Sequence, residues 1–447
     1  KRKNMDKKVA TRYIPIGLML FALFFGAGNL IFPASMGQNA GVNVWYALIG
    51  FCITGVGMPL LSVMAMGYSG CNDLQEAAGR AHPLYGLFFT IVAYLAIGPC
   101  FAIPRTGTVA FEIAVSPFLD KESIKLGLPI FLAVFFLISF WLSATPQKLV
   151  DRIGKLLTPA LVLTIVLLIV QSFVSPLGEP QAPTKAYATP VIAAVQGVLD
   201  GYNTLDAIAA FVFATLVINV VREDCGLTDR AEITKQVYKS GIVAVALLAF
   251  IYIFIAKIGA ESVPAIGMQT TGAPVLAESA KILFGNAGAI ILAVIVLLAC
   301  WSTAIGLITC CAAYFLKLTG RFTYIYWVTI FSIVSFLVGM FGLETIITST
   351  VPVLMFIYPL AVVLIVLLFT DKFFNGRQCV YAFTVGFTFI MALINGMETA
   401  NIKFEALENV LTAYLPMHTL GLSWIWFALI GYIFGLLWMK FVPANNS

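Results

Sequence analysis

The sequence predicts an all-α polytopic membrane protein, and three observations predict it. Of 447 residues, 61% are hydrophobic and only 11% charged, where a soluble domain carries roughly 25% charged residues. Mean hydropathy is +0.98. Apolar runs long enough to cross ~30 Å of hydrocarbon recur about twelve times along the chain. Two of those runs are interrupted by polar and helix-breaking residues, which a simple anchor would not tolerate.

The start, KRKNMDKKVATRY, reads as a basic cytoplasmic tail over residues 1–13; no cleavage site follows the first apolar span, so it is not a removable signal. The first span, from about Ile14 to Met36, contains Phe25-Gly26-Ala27-Gly28-Asn29-Leu30-Ile31-Phe32-Pro33. Glycine weakens a helix interior by roughly 0.5–1 kcal/mol relative to alanine, and each backbone group freed in hydrocarbon costs several kcal/mol unless something binds it. A helix broken at mid-membrane therefore needs a ligand, and transporters hold substrates and ions at such breaks. The alternative is a close helix–helix contact through small residues.

Further spans centre near Gly55, Ile97, Phe135, Leu163, Phe211, Leu248, Val296, Ile333, Tyr358, Phe387 and Ala428. Asn72 to His82 and Glu261 to Phe284 are polar connections with amphipathic pieces. The stretch at about 259–285, rich in Gly and Pro, reads as a structured outer lid or re-entrant loop. With the amino terminus inside, nineteen of the 26 Lys and Arg residues fall on the inner side, six on the outer side, and Arg105 within a span. That asymmetry places both termini in the cytoplasm and accounts for the net charge of +5 without any nucleic-acid partner. None of the eight cysteines forms a CxxC pair, and no Walker-type loop or HExxH occurs, so neither a zinc site, a disulfide framework nor a nucleotide engine is indicated.

The sixth span opens with a second polar break, Gly197-Val198-Leu199-Asp200-Gly201-Tyr202-Asn203-Thr204-Leu205-Asp206-Ala207. It falls five spans after the first, as expected of inverted repeats that place paired broken helices around one site. The spacing predicts a first repeat over 14–174, a second over 175–370, two added spans over 371–441 and a cytoplasmic tail over 442–447. A long loop running into a helix is the alternative for this break.

Four ionisable residues resist assignment to loops: Arg105 and Glu112 in the third span, Asp200 and Asp206 in the sixth. A charge at mid-helix costs at least ~2.5–3.5 kcal/mol, so such groups face a bundle interior or cavity. Arg105 follows Pro99 and Pro104, which loosen the helical ladder; it is either a gating charge or half of a structural ion pair, and Glu112 lies near the outer surface. An aspartate at the second break can meet a substrate ammonium or a cation, or cap the next half-helix; the cap is the first expectation for Asp200, the site for Asp206. In the eighth span, Ser302 and Thr303 either bond their own helix or give neutral oxygens to a small hard cation.

The strings FALFFGAGNLIFPASMGQNAG, YLAIGPCFAIPRTGTVAFE, GVLDGYNTLDA, LLACWSTAIGLITCC and TSTVPVLMFIYPL resemble the bacterial branched-chain amino acid:cation symporters, the BrnQ-type carriers, from about Ile14 to Trp438. The resemblance implies a LeuT-like fold of five-plus-five inverted repeats with two extra helices. It implies that the amides of Ala27 and Gly28, beside Asn29, bind substrate carboxylate, and that the carbonyls of Ala22, Phe25 and Ala299 with the hydroxyls of Ser302 and Thr303 bind Na+. Thr204, with Tyr202 and Asn203 beside it, aligns near the substrate. Asp206 stands where the archetype has a neutral residue, so a second sodium, a proton or the substrate ammonium remains open there. The reading is a symporter, not an enzyme, in the bacterial cytoplasmic membrane, whose partners are leucine, isoleucine, valine and the lipid bilayer. Its coupling ion is sodium, with H+ through Asp206 as the alternative; a channel and an intramembrane enzyme are more remote alternatives.

Overall fold

Hydrocarbon offers no partner to a backbone N–H or C=O, so a chain this apolar closes its hydrogen bonds within helices. The computed structural model describes all residues except 1–12, 146–162, 164–165, 168–169, 226, 228, 403–404 and 442–447. Both expected tails, but for Tyr13, and the centre of the expected fifth span at Leu163 border on or lie outside the described residues.

The first expected span is two helices, α1 (Tyr13–Phe24) and α2 (Ala27–Ala40). A 3-10 turn leads to α3 (Val44–Cys52), and a π turn, Ile53–Gly57, joins it to α4 (Met58–Ser69). The short α5 (Leu74–Gly79) precedes α6 (Pro83–Leu95) and α7 (Ala102–Ala114), which together make the third span. Between them Gly98 leaves helical geometry beside Pro99, so the span kinks about two turns before Arg105. Then come α8 (Lys121–Ser143), α9 (Pro190–Tyr202) and α10 (Asp206–Cys225). They are followed by α11 (Arg230–Ile266), α12 (Gly272–Thr319), α13 (Tyr324–Gly339) and α14 (Leu343–Thr370). The chain closes with α15 (Gln378–Thr399), α16 (Glu405–Tyr414) and α17 (Trp424–Phe441).

Among the described residues eight helices are long and apolar enough to cross a membrane, nine if α9 and α10, bent by 44°, count as one. The stretch at 259–285 holds the end of α11 and the first part of α12, which turns at Gly285, where φ is 64°. Outward faces are apolar, with Ile130, Leu137, Trp141, Ile333, Leu337 and Ile433 all exposed.

The second break corrects the expectation drawn from its glycines. The helix stops at Asn203–Leu205, where Leu205 takes φ 67°. A left-handed backbone costs an L-residue roughly 1–2 kcal/mol, and such strain persists only where surroundings enforce it. Gly197 and Gly201 lie within α9 and serve a packing seam instead. A Cβ at Gly197 would strike the Ala47 carbonyl oxygen, one at Gly201 the Thr54 hydroxyl, and one at Gly50 the Ala194 carbonyl oxygen. Thr54 Oγ1 donates to Val198 O across the same seam at 2.7 Å. Close backbone approach of this kind needs small residues. Gly50→Val is therefore expected to destabilise the protein by about 1–3 kcal/mol or more, the usual cost of overpacking, read as a lowered midpoint of thermal unfolding in detergent; an unchanged midpoint would dissolve the seam.

Candidate functional site

The first helix breaks because Phe25 and Gly26 leave the helix. Phe25 N–H still reaches back to Phe21 O at 2.7 Å, but Gly26 is extended, at φ −127° and ψ −162°. The break is pinned from opposite sides. Asn29 Oδ1 accepts from Gly26 N–H at 3.0 Å. Thr303 Oγ1 donates to Phe25 O at 3.4 Å and would lie 2.7 Å from a Cβ at Gly26, so glycine there is required by close approach. The first N–H groups of α2, those of Ala27 and Gly28, have no acceptor within their own helix and point their partial positive charge at the break.

Asp206 opens α10 and is 3% exposed. Its Oδ2 accepts from Asn29 Nδ2 at 2.5 Å and from the Tyr252 hydroxyl of α11 at 3.2 Å. Asn29 Nδ2 also donates to Tyr252 Oη at 2.5 Å. One carboxylate thus joins the second break to the first and to α11. Thr204 lies beside it, with Oγ1 donating to Gly201 O at 2.9 Å and accepting from Asp206 N–H at 3.4 Å.

Arg105, 3% exposed on α7, donates from Nη1 to Asn203 O at 2.7 Å and from Nη2 to Thr204 O at 3.3 Å. Its guanidinium carbon sits 5.0 Å from the centre of the Phe32 ring. Among the described residues it forms no ion pair, the expected structural alternative: its hydrogen-bond acceptors are the carbonyls just past the end of α9, whose negative dipole end it faces.

These groups surround a cavity of about 30 Å³, lined by Ala27, Gly28, Asn29, Arg105, Thr204, Asp206 and Thr303 with apolar neighbours that include Phe24, Ile97 and Phe213. Of the other residues singled out from sequence, Tyr202 stacks on Tyr358 with ring centres 4.2 Å apart and does not line the cavity, and Asn203 reaches the site through its carbonyl. Asp200 does not cap α10; its carboxylate accepts from Tyr187 at 2.5 Å and Gln196 at 3.0 Å, because it lies within α9. Glu112 accepts from Thr271 at 3.2 Å at the start of α12. Ser302 Oγ donates to Ala299 O at 2.8 Å, and Ala22 packs on Ile305 of the same helix. Of the oxygens singled out as cation ligands, Thr303 Oγ1 and Phe25 O meet across the break, while Ser302 Oγ and Ala299 O meet within α12.

Tyr252 and Phe32 were not distinguishable as site residues in the sequence; a tyrosine hydroxyl inside the apolar Phe250–Phe254 run was the available signal, since it needs a partner there. A second cavity, of about 530 Å³, lies between α4, α10 and α12, lined by Asn72, Asp73, Arg222, Tyr314 and Lys317 among others. At its mouth Lys317 Nζ pairs with Asp73 Oδ2 at 2.7 Å. Burial pushes the Asp73 carboxyl up, but Lys317 and the backbone N–H groups of Glu76 and Gln75 outweigh it and hold the group below its usual range.

Solved transporters share this architecture. Mhp1, a nucleobase-cation-symport-1 family transporter in a closed conformation with bromovinylhydantoin bound, matches with TM-score 0.61 and 16% identity over 96% of this chain and 93% of its own. MhsT in complex with L-phenylalanine matches with TM-score 0.55 and 15% identity over 95% and 98%. The fold is an all-helical one of LeuT-like architecture. Residues 9–442 match the family described as branched-chain amino acid transport protein. The branched-chain amino acid permeases BrnQ and BraB of Bacillus subtilis are each 43% identical, covering 96% and 97% of this chain and 98% and 97% of their own lengths. The chain belongs to that family.

Proposed function

We propose that the protein is a secondary active symporter that imports leucine, isoleucine and valine with sodium across the bacterial cytoplasmic membrane by alternating access. The observation that carries this reading is the meeting of two helix breaks around one cavity that presents Asp206, Arg105 and the amides of α2 together. An amino acid zwitterion needs both signs of charge in one place, and the names of the relatives supply the side-chain class. The carbonyls of Ala22, Phe25 and Ala299 and the hydroxyls of Ser302 and Thr303 suit a hard cation of low charge, which oxygen ligands favour. Asp206 receives the substrate ammonium.

The cavity of about 30 Å³ has room for about two or three water molecules, too little for leucine, so loading requires the broken helices to move against their neighbours. With both termini in the cytoplasm, as the basic residues favour, the 530 Å³ cavity is an inner vestibule. The second reading couples uptake to protons, and the observation favouring it is a titratable carboxylate buried at the second break. Uptake of labelled leucine into proteoliposomes under separately imposed sodium and proton gradients tests both. Accumulation driven by sodium alone is expected; accumulation driven only by the proton gradient transfers the role to Asp206.

A further inference from the structure

We propose that the Arg105 guanidinium is a direct ligand of the substrate carboxylate, so that the amino acid lies between Arg105 and Asp206 as a zwitterion. The inference rests on the amino acid reading above and adds a side chain to the carboxylate subsite.

A guanidinium carries five N–H donors and keeps its charge in any protein setting. Two of these are spent on Asn203 O and Thr204 O, and Nε is buried with no partner. Among the described residues no carboxylate approaches Arg105 closely enough for an ion pair; Asp206 spends its Oδ2 on Asn29 and Tyr252 instead. A buried positive charge whose direct contacts among the described residues are carbonyl dipoles and the Phe32 ring, with Asp206 across the cavity beyond ion-pair distance, is costly, and pairing it with an anion relieves that cost. Three donors remain for that anion, so it can bind while both bonds to the second break persist.

The position fits a carboxylate. Nη2 would lie 2.7 Å from a Cβ on Gly28, which puts the guanidinium against the first turn of α2, where unpaired amides already favour negative charge. Arg105 and Asp206 both line the same cavity. A zwitterion satisfies both charges at once; a simple amine or a simple acid satisfies one and leaves the other buried. The same geometry explains why arginine, and not lysine, suits the position: a planar fork serves two carbonyls and a carboxylate together.

The test is equilibrium binding of labelled leucine to the purified full-length protein in saturating sodium, with leucinamide and 4-methylpentanoate as competitors. In the wild type both are expected to bind at least about 100-fold more weakly than leucine, since each leaves one buried charge unpaired. In Arg105→Lys and Arg105→Gln, leucine is expected to weaken tenfold or more while leucinamide changes less than about twofold, so the preference between them collapses. Arg105→Lys keeps a charge beside both carbonyls and is read wherever Arg105→Gln does not fold. Parallel weakening of leucine and leucinamide in the variants would reduce Arg105 to a positioning residue for the second break and overturn the inference. So would a wild type that binds leucine and leucinamide equally. A wild type that binds no leucine overturns the underlying reading, and the inference with it.

Discussion

Asp206→Asn is expected to abolish gradient-driven leucine uptake, while Asp200→Asn keeps a substantial part of it. The two carboxylates lie six positions apart in sequence and in different surroundings. Asp206 lines the cavity and takes hydrogen bonds from Asn29 and Tyr252. An asparagine there loses the charge proposed to meet the substrate ammonium, and where its amide nitrogen faces Asn29 Nδ2 two donors oppose each other. A hydrogen bond to a charged group contributes about 1.5–3 kcal/mol, and an unsatisfied buried partner costs a further ~1–3 kcal/mol, together several orders of magnitude in uptake. Among the described residues the Asp200 carboxylate binds Tyr187 and Gln196, and asparagine can keep a hydrogen bond to each. Substrate binding to the purified Asp206→Asn protein then divides the roles. Binding lost at every sodium concentration assigns Asp206 to the substrate ammonium or an ion. Binding that survives without pH dependence assigns it to proton coupling. Full transport would remove the residue from the mechanism.

The second large effect is expected at the hydroxyl pair. Ser302→Ala with Thr303→Ala should raise the sodium concentration for half-maximal uptake by about 10- to 100-fold or more, since each lost neutral ligand costs on the order of 1–3 kcal/mol. Thr303 should carry the larger share, because its hydroxyl crosses from α12 to the carbonyl that ends the first half-helix, whereas Ser302 bonds within its own helix. Unchanged sodium dependence in a normally inserted double variant would return both hydroxyls to helix packing.

The first break was legible because two glycines and an asparagine inside an apolar span cost too much to be incidental. The hydroxyl pair became legible through family resemblance, since Ser and Thr in membrane helices also bond their own backbone. The second break was legible as a region but not as a position. Its glycines proved to be the seam against α3 and the following π turn, and the chain turns instead at Leu205, whose left-handed backbone leaves no mark on residue type. Arg105 was recognisable as a buried charge; its acceptors are carbonyls, which every residue owns and no sequence displays. Tyr252 was hidden for the opposite reason: aromatic residues fill these helices, and only the fold shows whose hydroxyl faces a carboxylate.

Asn29 carries a consequence for how the two halves communicate. Its amide has polarity as well as reach: only the oxygen can accept from Gly26, and only the nitrogen can donate to Asp206 and Tyr252. The side chain cannot be reversed without placing like against like at both ends. It works as a keyed coupling between two shafts, engaged in one orientation alone. A disturbance of Asp206 is felt one side chain away at Gly26, and one residue further at the carbonyl that Thr303 holds. With substrate and cation bound as proposed, the arrival of one would thereby be felt at the site of the other, with no helix having to carry the message along its length.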